Sequence, residues 1–255
     1  MRYFIELSYH GLNYHGWQVQ PDVVTIQEKI TEAFSVILRE KIDIVGAGRT
    51  DAGVHALQMF AHFDSKIKFD VTLIQQKVNA FLPEDIVVGS IFLVNKHTHA
   101  RFDAVSRSYE YRIWLGRNPF LLETTWQIHQ QKLEVEKMNE AAEILLNYTN
   151  FKCFSKSKTD VKTYNCIIKE AKWISNNCQL TFYITADRFL RNMVRAIVGT
   201  LIEVGLGKKT KNDIIAIIKS EDRSKAGVSV PARGLFLAKV AYKEEFFDQK
   251  NKTEV

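Results

Sequence analysis

The chain has 255 residues and a mass of 29.4 kDa, and its 46% hydrophobic and 25% charged residues are ordinary for a soluble globular protein. With 12 glycines, 4 prolines and no low-complexity run, the composition excludes a disordered or collagen-like chain. No apolar stretch approaches the roughly 20 residues of a membrane span, and the N-terminus lacks the apolar block of a signal peptide. We therefore expect a cytoplasmic protein that does not associate with membranes.

The net charge of +6 is unevenly distributed, at −2 over residues 1–105 and +8 over residues 106–255. A basic half of this kind indicates a polyanionic partner such as nucleic acid. The three cysteines, Cys153, Cys166 and Cys178, have spacings that fit neither a disulfide framework nor a zinc site, so we interpret them as reduced thiols.

In the first half, alternating apolar residues predict strands, and apolar residues at helical spacing predict helices. Thr25 followed by Glu28 has the pattern of a capping box, which marks a helix start. In chain order, we predict a strand over 2–9, a glycine- and aromatic-rich loop over 10–21, a helix over 26–38, strands over 42–46 and 57–64, a helix over 71–82 and a strand over 86–94.

The second half repeats this rhythm of strand, helix and strand. We predict a strand over 108–115, a helix over 135–146, strands over 167–175 and 179–186, an apolar helix over 189–204, a short helix after Thr210 and a strand over 235–242. The pattern predicts an α+β fold of two similar lobes, with mixed, mainly antiparallel sheets flanked by helices. We place the lobes at 1–105 and 106–245, followed by a charged tail over 246–255.

The most unusual segment is the glycine-rich stretch 46–56, which holds Arg49 and Asp51 between two apolar strands. Such a loop can present a carboxylate in a cleft, with a guanidinium that keeps it ionised. A phosphate-binding loop does not fit, because Val54-His55 stands where that motif has Lys followed by Ser or Thr. By composition alone, a tight structural turn with an incidental ion pair remains the alternative.

His97, His99 and Asp103 allow a metal site, which would make the chain a metal-dependent hydrolase of nucleic acid. Arg101 lies among them and places an unwelcome positive charge there. We therefore favour His99 and Arg101 as residues that face phosphate or have a structural role.

Aromatic and basic residues of the second half suit an RNA partner. Tyr109 and Tyr111 share one face of a predicted strand, which is a core pattern and also the pattern of a base-stacking platform. Arg188, Arg191 and Arg195 have the spacing of one face near the start of the 189–204 helix, where an anionic ligand would offset their unfavourable interaction with the helix dipole. Two further basic stretches are formed by Lys152, Lys156, Lys158 and Lys162 and by Lys208, Lys209 and Lys211.

Several of these segments together resemble the tRNA pseudouridine synthase A family along nearly the whole chain. The matching segments are Tyr9-His10-Gly11 with Gly16-Trp17-Gln18, the stretch GRTDAGVHA at 48–56, His99-Ala100-Arg101-Phe102, Ser108-Tyr109-Glu110-Tyr111, the helix 189–199 and Pro231 with Gly234-Leu235-Phe236-Leu237. Departures occur at His10, where the family usually has Asp, at Arg191-Asn192 and at Ala232-Arg233.

The resemblance implies a pseudouridine synthase fold with a cleft between the lobes, and an enzyme that isomerises uridine to pseudouridine at positions 38–40 of the tRNA anticodon arm. It also implies a homodimer with tRNA as partner, no metal and no cofactor. Asp51 matches the catalytic aspartate, Arg49 its paired arginine, Tyr109 the aromatic that stacks on the flipped base and Arg195 the arginine that contacts the carboxylate. We expect His99, Arg101, Arg188, Arg191 and Leu235 to bind substrate.

Breaking the N1–C1′ bond and rejoining uracil through C5 needs no oxidant, and a carboxylate can attack the sugar, attack the ring or remove a sugar proton. A non-catalytic RNA-binding module remains an alternative that uses the same basic half and aromatic residues. It would not need Arg49 and Asp51 in a glycine-rich loop.

Overall fold

A computed structural model of the chain describes residues 1–129, 132–156 and 161–243. Lys158, residues 244–245 of the second predicted lobe and the predicted tail 246–255 lie outside the described residues. The chain divides into two compact units, one formed by Met1–Val105 with residues from 237 onward and the other by Ser106–Phe236. The last strand therefore contributes to both units, whereas the sequence alone assigned it to the second lobe.

The first unit is built on a strand with antiparallel neighbours on both sides. Its elements are β1 (Arg2–Tyr9), α1 (Ile26–Leu38), β2 (Val45–Gly46), β3 (His55–Asp64), α2 (Val71–Phe81) and β4 (Ile86–Val94). Strand β1 pairs with β3 and with β4, and β2 pairs with β3. Phe34 of α1 packs on Phe63 of β3, with ring centroids 4.8 Å apart. The predicted capping box of Thr25 and Glu28 is confirmed, because both of its hydrogen bonds form.

The predicted strand over 42–46 is wrong for its first three residues, which precede β2, and side chains of helix α1 bind main-chain groups of two of them. Ser35 Oγ accepts a hydrogen bond from the Ile42 N–H at 3.1 Å, and Gln27 Nε2 donates to the Ile44 carbonyl at 2.7 Å. Both isoleucines are buried, which accounts for the apolar pattern of this segment without a full strand.

The second unit is built on strand β8. Its elements are β5 (Ser106–Leu115), β6 (Trp126–Ile128), α3 (Val135–Glu143), β7 (Ile168–Asn176), β8 (Gln179–Ala186), α4 (Met193–Gly205), α5 (Lys211–Ser220) and the start of β9 (Leu235–Ala241). Strand β8 pairs antiparallel with β5 and β7, and β6 pairs parallel with β5. The predicted α+β class, with mixed and mainly antiparallel sheets flanked by helices, is confirmed. Helix α3 is shorter than the predicted 135–146, because a 3-10 turn, Ile144–Asn147, replaces its last residues.

Helix α4 begins at Met193, so the predicted start at residue 189 is wrong. Asn192 has φ 66°, a left-handed conformation that a right-handed α-helix does not contain. The helix therefore cannot run from residue 189 through Asn192. Arg188 and Arg191 consequently precede the helix, and only Arg195 lies on it. The prediction that three arginines share one helical face is therefore wrong. Within the described ranges, no helix combines the length and apolarity that crossing a bilayer requires.

Candidate active site

The glycine-rich loop connects β2 to β3 in the first unit, and the N-terminal loop after β1 holds it in place. The Trp17 N–H donates a hydrogen bond to the Thr50 carbonyl at 3.1 Å, and the Gly53 N–H donates to the Tyr14 carbonyl at 3.2 Å. Two segments that the sequence separates by more than 30 residues therefore share main-chain hydrogen bonds and form one structure.

Two glycines allow this close approach of main chain to main chain. Gly16 has φ +89°, and a Cβ at its position would lie 2.5 Å from the Thr50 carbonyl oxygen. A Cβ at Gly11 would lie 1.9 Å from the carbonyl oxygen of Val54. The loop after β1 can therefore contact the glycine-rich loop only with glycine at these two positions, because any other residue would bring a Cβ into the facing main chain.

Asp51 lies at the start of a tight turn in this loop. Its carbonyl accepts a hydrogen bond from the Val54 N–H at 3.1 Å, and Gly53 has φ 75° within the turn. Thr50, the preceding residue, is buried, whereas the side chain of Asp51 is half-buried. The turn therefore fixes the main chain around Asp51, whose half-buried side chain keeps part of its surface exposed.

Arg49 and Arg101 line the same recess of the first unit, which has a volume of about 130 Å³. Trp17, Gly46 and Gly48 also line it. Both arginines are exposed. Two guanidinium groups at one recess suit an anionic group such as a phosphate.

His99 organises the turn that carries Arg101. Its Nδ1 accepts hydrogen bonds from the main-chain N–H groups of Arg101 at 3.1 Å and Phe102 at 3.3 Å. Asp103 accepts from the His99 N–H at 2.7 Å. These hydrogen bonds show that His99 and Asp103 stabilise the turn. Within the parts of the chain that the structure describes, no group of three or more His, Cys, Asp or Glu side chains could hold a metal ion.

His62 supports the same turn from inside the first unit. Its buried ring accepts a hydrogen bond at Nδ1 from the Ala100 N–H at 3.2 Å and packs against His99, with ring centroids 4.6 Å apart. Burial and the nearby Arg2 guanidinium lower the pKa of His62 to about 4. Burial also lowers the pKa of His99, again with a contribution from Arg2. Both imidazoles are therefore neutral near pH 7 and suited to accept main-chain hydrogen bonds.

Tyr109 lies on β5 in the second unit and is half-buried. The ring of Phe189 meets it edge-on, with centroids 5.1 Å apart and planes at 89°. Glu110 and Arg112, two residues apart on the same strand, form an ion pair. The Arg112 guanidinium also lies 3.9 Å from the ring centroid of Phe236. These contacts hold Tyr109 and the part of strand β5 that follows it.

Arg195 lies in the first turn of α4 and is half-buried. Its Nε donates a hydrogen bond to the Val230 carbonyl at 2.8 Å, and the Val230 N–H donates to the Arg195 carbonyl at 3.3 Å. The Arg188 N–H donates to the Asp187 carboxylate at 2.8 Å, whereas Arg191 is exposed. Of the three arginines, Arg195 has its guanidinium fixed by a main-chain acceptor.

The structure thus places the candidate residues in two groups. Arg49, Asp51, His99 and Arg101 are in the first unit, and Arg49 and Arg101 meet at one recess. The second unit holds Tyr109, Arg188, Arg191, Arg195 and Leu235, of which Leu235 is buried at the start of β9.

Comparison with known proteins gives the family of the chain. Residues 7–103 and 141–243 match the model of the family described as tRNA pseudouridine synthase. The chain belongs to this family. It is 49% identical to the tRNA pseudouridine synthase A of Parabacteroides distasonis, over 96% of the chain and 98% of the relative. The tRNA pseudouridine synthases A of Bacteroides thetaiotaomicron and Bacillus licheniformis are 47% and 38% identical to it, over 100% and 95% of the chain and 95% and 99% of each relative. The predicted synthase family is confirmed, and with it an isomerase class of enzyme.

Sequence reasoning missed two sets of contacts that hold these synthase motifs in place. Tyr9 and Thr50 share a buried hydrogen bond of 2.8 Å between their hydroxyl groups, and Arg223 bonds the loop that carries Val230. The order of the motifs along the chain gave no signal for either contact. Arg223 reaches main-chain carbonyls and one hydroxyl, groups that leave no trace in a pattern of side-chain types.

Proposed function

We propose that the chain isomerises uridine to pseudouridine at positions 38–40 in the anticodon arm of tRNA, with Asp51 as the catalytic carboxylate. The observation that carries the proposal is the fixed turn at Asp51 in a chain of the tRNA pseudouridine synthase family. Main-chain hydrogen bonds at Thr50 and Gly53, together with the Asp51–Val54 turn, preorganise the carboxylate. A purely structural turn would not need an accessible carboxylate at this place.

The reaction breaks the N1–C1′ bond of uridine, turns the released uracil and forms a C5–C1′ bond. The proton of C5 then leaves to solvent and N1 takes up a proton, so the product is an isomer of uridine. The target base must first leave its stack, at a cost of a few kcal/mol. Asp51 supplies the carboxylate that acts on the sugar or the ring. The atoms balance without an oxidant or a reductant.

The remaining residues bind and orient the substrate in this proposal. Tyr109 stacks on the flipped uracil, because an accessible aromatic ring held by Phe189 is a base platform. By the resemblance to the family, Arg195 matches the arginine that contacts the catalytic carboxylate, and Arg49 matches its paired arginine. The other proposed substrate contacts are His99, Arg101, Arg188, Arg191 and Leu235.

We propose a cytoplasmic homodimer, which is the assembly that the resemblance to the family implies. The described cysteines suit a reducing compartment, because Cys153 and Cys166 are buried free thiols whose pKa burial raises to about 12. Sedimentation equilibrium should give twice the chain mass of 29.4 kDa. A single-chain mass at micromolar concentration would contradict the dimer without affecting the proposed chemistry.

Tritium release tests the proposed chemistry directly. A tRNA transcript carrying tritium at uracil C5 is incubated with the purified chain in EDTA. We expect release of tritium to water with the wild type and no release with Asp51→Asn, which keeps the side-chain shape and removes its charge. Asp43→Asn, a change at an exposed carboxylate of the same unit, is the matched control and should retain full release. Transcripts with uridine at only one of positions 38, 39 and 40 identify the modified sites.

Each other result has a distinct meaning. Tight tRNA binding without release from the wild type would indicate a non-catalytic binding module. Cleavage of the tRNA transcript that occurs without EDTA and stops in its presence would indicate the metal-dependent hydrolase. Loss of both release and tRNA binding in Asp51→Asn would indicate a structural role for Asp51.

A further inference from the structure

The loop of residues 226–230 lies between α5 and β9, and Arg223 organises it from one side. Arg223 Nη1 donates hydrogen bonds to the carbonyls of Gly227 at 3.0 Å and Ala226 at 3.4 Å. Its Nη2 donates to Ser229 Oγ at 3.0 Å. One planar guanidinium therefore binds three acceptors of the loop, which a more flexible single-point donor could not do.

The same loop also binds the first turn of α4 and the residue before it. Val230 accepts a hydrogen bond from Arg195 Nε at 2.8 Å and donates its N–H to the Arg195 carbonyl at 3.3 Å. Asn192, the left-handed residue before α4, donates through Nδ2 to the same Ser229 hydroxyl that Arg223 binds. The loop thus connects Arg223 to the residue whose guanidinium is proposed to meet the catalytic carboxylate.

Close packing leaves the loop little freedom to move against α4. A Cβ at Gly199 would lie 1.8 Å from the Val228 carbonyl oxygen, and the Gly227 N–H donates to Thr200 Oγ1 at 2.9 Å. Beyond the loop, Tyr111 donates its hydroxyl to the Pro231 carbonyl at 2.8 Å. The connection from Arg223 to the acceptor of Arg195 therefore runs through Ser229 and the next residue in the chain, Val230.

We infer that Arg223 is a positioning residue of the reaction, which sets the direction of the Arg195 guanidinium through Ser229 and Val230. Arg223 itself touches no substrate in this assignment. The inference rests on the proposed function for the role of Arg195, but the geometric part of it stands on the second unit alone.

The first test is kinetic and uses the complete chain with Arg223→Gln, Arg223→Lys and Ser229→Ala. We expect Arg223→Gln to lower kcat for tritium release by roughly 10- to 100-fold, because small misplacements of a catalytic group have effects of that size. The KM for tRNA should stay within about twofold, since Arg195 would act on the carboxylate and not on tRNA binding. The kcat of Arg223→Lys should lie between those of Arg223→Gln and the wild type, because one ammonium group can bind some but not all of the three acceptors. Lys225→Gln, which removes an exposed positive charge two residues away, is the matched control and should leave both constants unchanged.

The second test needs no activity. The Arg195 Nε–H gives a nitrogen–proton correlation signal that is identified by its absence in Arg195→Lys. We expect slow exchange of this proton in the wild type and in Lys225→Gln, and fast exchange or a shifted signal in Arg223→Gln and Ser229→Ala. Thermal unfolding of each variant gives its folded fraction, and kcat is expressed per folded molecule.

The outcomes separate this inference from the proposed function. An unchanged Arg195 signal with unchanged kcat per folded molecule in both Arg223→Gln and Ser229→Ala would overturn the positioning role. A displaced Arg195 signal in a chain whose wild type releases no tritium would keep the geometric link and overturn the proposed function. If Arg223→Gln does not fold, the result for Ser229→Ala alone tests the positioning role. This substitution removes only one hydroxyl oxygen from the connection between Arg223 and Val230.

Discussion

The hydroxyl groups of Tyr9 and Thr50 share a buried hydrogen bond of 2.8 Å, although 41 residues separate them in the chain. This contact joins the end of β1 to the residue before Asp51. The main-chain bond from Trp17 to Thr50 adds a second link between the same two segments. The position of the proposed catalytic carboxylate therefore depends on residues of the N-terminal loop that carry no reactive group.

Gly16→Ala should reduce both stability and turnover. The substitution forces an L side chain into φ +89° and brings its Cβ within 2.5 Å of the Thr50 carbonyl oxygen. We expect the free energy of unfolding to fall by roughly 1–3 kcal/mol, measured by urea denaturation. We also expect kcat to fall per folded molecule, because the Asp51 turn moves with Thr50. Gly89→Ala is the control, since its Cβ would only reach 3.7 Å from the Glu6 carbonyl oxygen. Equal effects of the two changes would contradict this account.

Tyr109→Leu should impair turnover strongly, and Tyr109→Phe should impair it much less. Stacking of a base on an aromatic ring is worth about 1–3 kcal/mol, which corresponds to roughly 5- to 150-fold in rate. Phenylalanine keeps the ring that packs on Phe189 and leucine does not. Single-turnover tritium release measures the difference. Equal rates in the wild type and both variants would remove Tyr109 from the reaction.

The sequence predicted the family and most elements, because motif order and apolar periodicity are properties of the chain itself. The start of α4 escaped prediction, since apolar spacing continues through Phe189 and Leu190 while the left-handed conformation of Asn192 leaves no periodic signal. The strand over 42–46 was overestimated for a related reason. Ile42 and Ile44 are buried as a strand would be, yet α1 side chains bind the Ile42 N–H and the Ile44 carbonyl.

For the candidate site, the sequence likewise predicted the identity of residues but not how they are arranged. The sequence could name Arg49 and Arg101 as candidates, because both belong to recognisable motifs. It could not predict that they line one recess of the first unit, because this depends on the path of the main chain around Trp17. The structural role of the His99 ring likewise follows from two main-chain donors that no side-chain pattern records.

The ion pair of Glu110 and Arg112 gives a prediction about strand β5. Glu110 is buried and Arg112 is half-buried over Phe236. Arg112→Met removes the partner of a buried carboxylate, so we expect a loss of about 2 kcal/mol or more, below the 3–5 kcal/mol of a fully buried pair. The double variant with Glu110→Gln should recover part of this loss, because no unpaired charge remains. Denaturant unfolding of the four proteins of this double-mutant cycle measures the coupling. Additive effects would show that the pair does not act as a unit.

The buried His62 predicts that the free energy of unfolding falls as the pH falls from about 6.5 to 4. Its pKa is lowered from 6.5 to about 4 by burial and by Arg2, so the unfolded chain binds more protons than the folded one within this window. One such group contributes a slope of up to about 1.4 kcal/mol per pH unit.

His62→Asn offers Oδ1 as an acceptor for the Ala100 N–H and does not titrate. We expect its loss of stability between pH 6.5 and pH 5 to be smaller than that of the wild type by at most about 2 kcal/mol. His97→Asn, which removes an exposed imidazole, is the control and should follow the wild type. Urea denaturation at the two pH values decides the matter, and identical losses in the wild type and His62→Asn would show that His62 titrates alike in the folded and unfolded chains.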